Sequence, residues 1–162
     1  MLGLTPLGVF HTAISLFALV AGFWAFVRDK EIVPANRLGQ LYLAATAIVA
    51  ATGLMIFQHG GFRIGHKFAI LTLVVIAIGT LAAMTGTFGR ASRYIQAVCF
   101  SSTMLLHMIT GTAETVTRLP PGGPLVTAAN AYIFPYIIWS LVLLFLIGLA
   151  FQLRWLWVSR RS

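Results

Sequence analysis

The sequence predicts an all-α, polytopic membrane bundle of five transmembrane helices, and three observations predict it. Of 162 residues, 59% are hydrophobic and only 9% charged, against about 25% charged in an ordinary soluble domain, so this set cannot build a wetted surface. The apolar residues gather into five runs, each near the ~20 residues that cross roughly 30 Å of hydrocarbon. The links between the runs are short and carry most of the cations. Inside lipid a backbone amide finds no water, so each run must close its hydrogen bonds within itself as a helix.

The first run, 6–27, starts directly after Met-Leu-Gly-Leu-Thr. No positive n-region precedes it, so it reads as an uncleaved helix and not as a signal peptide. Gly8, Ser15, Ala18 and Gly22 recur at helical spacing along it, the pattern that lets backbones approach in lipid. The second run, 38–57, offers Ala44, Ala47, Ala51 and other small residues for the same purpose, and the third, 67–88, offers Gly79 and Ala83. The fourth, 94–117, is the least apolar because it contains His107 and Glu114. The fifth, 132–158, follows Leu-Pro-Pro-Gly-Gly-Pro at 119–124, which cannot continue a helix and must turn. Short links make neighbouring helices antiparallel. The whole chain, 1–162, is then a single transmembrane domain.

Counting cations orients the bundle. Arg28, Lys30, Arg37, Arg90, Arg93, Arg154, Arg160 and Arg161 fall on one side, and Arg63, Lys67 and Arg118 on the other. Positive residues stay inside, so the N-terminus is expected outside and the C-terminus in the cytoplasm, with the bacterial inner membrane as the expected location. The net charge of +8 is spread singly between apolar runs, as lipid-headgroup anchors are, so no nucleic-acid partner is expected. A soluble enzyme, a disordered tail and a disulfide scaffold are excluded by the same composition. Cys99 is the only cysteine and has no partner within the chain.

Ionisable groups inside a membrane are costly and mark function by default. His11 lies early in the first run, His59 and His66 flank the link after the second, and His107 and Glu114 lie in the outer half of the fourth. All four histidines and the one intramembrane acid therefore point to one membrane side, at a common depth, while the inner half has no such group. At about 100° per residue, Thr103, His107, Thr110, Gly111, Glu114 and Arg118 share a face of the fourth helix, and Glu114 precedes Arg118 by four residues, the favoured order for an ion pair.

Three functions fit these residues. In the first, two imidazoles among His11, His66 and His107 ligate a b-type haem, with Glu114 as charge or proton partner and Arg63 or Lys67 beside a propionate. No Cys-x-x-Cys-His is present for covalent attachment. In the second, His11, His66 and His107, with Glu114, bind a divalent metal or copper, though no His-x-x-x-His spacing supports it. In the third, the chain is a non-catalytic accessory or assembly subunit whose polar stripe meets other membrane subunits, a lipid or a quinone head. His11 also has a purely structural reading, an interhelical hydrogen bond to a backbone carbonyl or to Glu114. A proton-coupled transporter is disfavoured, since no paired broken helices appear.

His11, then Asn36-Arg37-Leu38-Gly39, then Gly61-Phe62 with His66-Lys67-Phe68-Ala69, and finally Glu114 followed by Arg118-Leu119-Pro120 resemble a widespread group of small polytopic bacterial membrane proteins of uncharacterised function. The resemblance spans about residues 5–125. It implies a helical membrane fold and no particular activity, and it implies His11, His66 and Glu114, more than His107, as the common core.

Overall fold

The computed structural model describes residues 5–57, 61–120 and 122–159. Among these there are five α-helices, two single 3₁₀ turns and no strand: α1 (Pro6–Asp29), α2 (Arg37–Leu54), α3 (Ile64–Thr85), α4 (Ser92–Arg118) and α5 (Ile133–Val158). Three of them, α1, α3 and α5, are long and apolar enough to cross a membrane. The other two are less apolar for a reason visible inside the bundle, where they turn Tyr42, Thr46, Thr103 and His107 inward.

Local chemistry sets the ends. Thr5 caps α1 by accepting the Gly8 amide at 3.2 Å, with Pro6 at the first helical position, where its missing N–H costs nothing. Asn36 caps α2 through the Gly39 amide at 2.8 Å. The second helix stops at Leu54, three residues short of the apolar run, and the third begins at Ile64, three residues before its own. Hydropathy cannot see this shift, because Met55, Ile56 and Phe57 are apolar but lie beyond the last helical turn. At its far end α3 closes on Gly86 in the left-handed conformation (φ 60°).

Helices adjacent in the chain pack on one another, and α1 also meets α4. His11 faces the end of α2 near Gly53, whereas Gly22 faces its start at Tyr42, so the two helices run antiparallel. The close approaches need glycine. A Cβ on Gly22 would sit 2.8 Å from the Tyr42 ring and 2.9 Å from Met104 Sδ, and one on Gly79 would sit 2.6 Å from the Phe100 ring. The core these contacts enclose is Ala21, Ala25, Ile32, Tyr42, Phe100 and Met104.

The expected stripe on α1 is present, with Gly8, Ala18 and Gly22 buried. On α2 the inward positions are Tyr42, Ala45, Thr46, Val49 and Ala50, so Ala44 and Ala51 face outward, and on α3 Gly79 is joined by Ala82 instead of Ala83. Where alanine occupies most positions, spacing alone has no contrast. The Tyr42 ring and the Thr46 hydroxyl decide which face turns in.

The end holding the links 30–36 and 86–91 is tied by polar contacts. Arg93 pairs with Glu31 at 2.8 Å, and Glu31 is 5% exposed. Gln152 receives the Ser101 hydroxyl at 2.7 Å and donates to the Lys30 carbonyl at 2.9 Å. This end therefore buries an acid of its own, outside the apolar runs. Glu31 escapes a hydropathy reading because it lies in a link, and only the return of α4 covers it.

A candidate ligand cavity of three imidazoles

At the other end, where α1, α3 and α5 begin and α2 and α4 finish, a cavity of about 650 Å³ opens between all five helices. His11, His66, His107 and Glu114 all line it, with Arg63 and Arg118. The residues singled out from sequence are therefore brought around one space, except His59, which lies outside the described residues. They do not share a depth. Counted along its own helix at 1.5 Å per residue, His66 is about 3 Å from the start of α3, His11 about 8 Å from the start of α1, and His107 about 16 Å from the end of α4. The imidazoles descend like steps.

Each ring has its own anchor. His11 Nδ1 lies 2.9 Å from Thr52 Oγ1. That hydroxyl already faces the carbonyls of Ile48 at 2.8 Å and Val49 at 3.1 Å, which can only accept, so its proton is committed to them. His11 must then donate through Nδ1, and its neutral ring carries the lone pair on Nε2. The structural partner of His11 is thus a threonine hydroxyl, not Glu114.

His66 has the opposite arrangement. It sits in the first turn of α3, which has no hydroxyl cap, and its Nδ1 accepts the Arg63 amide at 3.1 Å. A helix start leaves amides without partners, and here an imidazole serves as the cap. With Nδ1 accepting, the ring proton resides on Nε2. That Nε2 is buried and has no hydrogen-bond partner among the described residues. Phe57 and Phe62 hold the ring, their centroids 4.6 Å and 5.2 Å away.

His107, 7% exposed, reaches across the bundle from α4 to α2, where its Nε2 lies 3.1 Å from Thr46 Oγ1. One turn away, Tyr42 and Thr103 make a parallel link at 2.7 Å. These two rungs join α2 and α4. Glu114 points to the rim and pairs with Arg118, as the four-residue spacing predicts.

Thr46 and Thr52 were not singled out from sequence, yet they orient two of the three rings. A signal for them exists, since between Tyr42 and Met55 they are the only polar side chains in α2. Among the described residues, no three of His, Cys, Asp and Glu gather closely enough to hold a metal ion between them. The walls between the polar groups are apolar or small, including Gly8, Val49, Ala50, Gly53, Phe68, Ala69 and Ile138. Comparison with family models, with curated proteins and with solved structures finds no match to this chain.

Proposed function

We propose that this chain is a multi-pass protein of a bacterial inner membrane that binds a quinone headgroup in the cavity and takes part in membrane electron transfer. All five helices cross the bilayer, with the cavity at the outer side. The cation distribution supports this orientation: Arg28, Lys30, Arg37, Arg90, Arg93 and Arg154 belong to the end opposite the cavity.

The observation that carries the reading is the buried, unpartnered Nε2–H of His66. A buried donor without an acceptor costs about 1–3 kcal/mol, and a quinone carbonyl would supply the acceptor once the Phe57 and Phe62 rings packed on this imidazole give way. His11, which also lines the cavity, would offer its Nε2 as an acceptor for the hydroxyl that appears when a quinone is reduced. The apolar walls suit the ring, and a cavity of this size lies within the range of small-molecule sites.

The test is titration of the purified protein in detergent micelles with a short-chain ubiquinone analogue, followed by calorimetry. Wild type is expected to bind one equivalent, and His66→Phe, which keeps the aromatic packing and removes the donor, to bind about tenfold more weakly, or 1.4 kcal/mol. Absence of binding by wild type, or equal binding by His66→Phe, would refute the reading.

A second reading has one observation in its favour. The Nε2 lone pair of His11 is what a haem iron or a divalent metal requires. His66 presents a proton there instead, and the Nε2 of His107 is engaged with Thr46, so a b-type haem would have His11 as its protein ligand. A Soret band in the purified protein that disappears in His11→Ala would favour this reading over the quinone.

A further inference from the structure

A second cavity, about 600 Å³, lies between α1, α4 and α5 toward the opposite end. Phe23, Met104, Met108, Leu144 and Leu149 make its walls. Besides the Trp155 indole, its polar contributors are Lys30, Ser101 and Gln152. Ser101 donates to the Gln152 amide oxygen, and Gln152 gives one of its amide protons to the Lys30 carbonyl. The Lys30 ammonium is different. It gives one hydrogen bond, to the Val27 carbonyl at 3.0 Å, and an ammonium has three to give.

Among the described residues no carboxylate side chain is left to pair with it. The chain has three acids, and they are taken by Arg28, Arg93 and Arg118. The slot is also long. Its α5 lining runs from Leu141 to Trp155, about 21 Å at 1.5 Å per residue, which exceeds one leaflet's half of a roughly 30 Å hydrocarbon core. Trp155 sits at the same end, with the Arg93 guanidinium 5.8 Å above its ring, and tryptophan belongs at headgroup level.

We propose that this slot seats one acyl chain of an anionic phospholipid, with the phosphate held by Lys30 Nζ. An apolar channel lined at one end by Lys30, a cation with no acidic partner among the described residues, fits a lipid of net negative charge. A zwitterionic lipid brings its own cation to the same place and gains less. The site is independent of the imidazole cavity and of what binds there.

The test is native mass spectrometry of the full chain, released from micelles containing equal amounts of phosphatidylglycerol and phosphatidylcholine with identical chains. Wild type is expected to retain one phosphatidylglycerol about tenfold over phosphatidylcholine. Lys30→Gln should bring the ratio near one without lowering phosphatidylcholine retention. Gly148→Leu should remove both lipids, because a Cβ there meets no atom within 4 Å and the side chain projects into open space beside the slot. If Gly148→Leu fails to fold, Leu144→Trp fills the slot from the same helix. Equal retention by wild type, an unchanged ratio in Lys30→Gln, lipid still bound in the filled variant, or a second copy of the chain replacing lipid would each overturn the proposal.

Discussion

His107 Nε2 and Thr46 Oγ1 meet 3.1 Å apart in the middle of the bundle, joining α4 to α2. Both groups are buried, so neither can fall back on water. His107→Leu takes the imidazole from Thr46, leaving it the Tyr42 hydroxyl, and should cost about 1–3 kcal/mol. Quinone affinity should stay within about threefold of wild type, because the proposed donor to the quinone belongs to His66. Thermal unfolding in micelles together with the ubiquinone titration separates the two roles. A variant of unchanged stability that no longer binds would reverse them.

The partner that anchors each imidazole was not legible in the sequence, and the reason is distance along the chain. His107 and Thr46 are 61 residues apart, and His11 and Thr52 are 41 apart. Helical spacing reports what shares a face, not what the facing helix supplies. Spacing did place Glu114 with Arg118 and Gly22 at a close approach, since both depend on one helix or on one small residue. It misled on α2, where alanines on every side conceal the inward face until Tyr42 and Thr46 mark it. The convergence of His11, His66 and His107 on one cavity was legible from the antiparallel order of the runs. The descent of the rings through the bundle was not.

Gly39 and Gly111 provide an internal contrast. A Cβ on Gly39 would lie 2.0 Å from the Val33 carbonyl oxygen, which is backbone and cannot rotate away, while one on Gly111 meets nothing within 4 Å. Gly39→Ala should therefore lose about 1–3 kcal/mol or more. Gly111→Ala should be neutral or gain up to about 1 kcal/mol from helix propensity. Unfolding midpoints of the pair decide this, and the opposite order would mean that the 30–36 link packs on α2 differently.

Arg93 and Glu31 offer a test of the tied end. The carboxylate is buried and its Oε2 has no hydrogen-bond partner among the described residues, so Arg93 carries the neutralisation. Removing Arg93 alone leaves an uncompensated charge, at a cost of about 3–5 kcal/mol. Glu31→Gln alone should cost less. The double variant Glu31→Gln/Arg93→Gln should recover much of the loss, since no buried charge remains. A double-mutant cycle showing simple additivity would mean that water, not Arg93, compensates Glu31.

The opposite polarities of His11 and His66 make a prediction about redox state. His11 donates through Nδ1 to Thr52 and keeps a lone pair on Nε2, while His66 accepts through Nδ1 from Arg63 and keeps a proton there. An oxidised quinone has only acceptors and leans on His66. A reduced quinol has hydroxyls to donate and leans on His11. His66→Phe should thus weaken the oxidised form more, by about tenfold, and His11→Phe the reduced form by a similar factor, each factor being one hydrogen bond of about 1.4 kcal/mol. Titrating both variants with the analogue in its two redox forms reads the crossover directly. Equal losses in both forms would mean that the two imidazoles contribute shape alone.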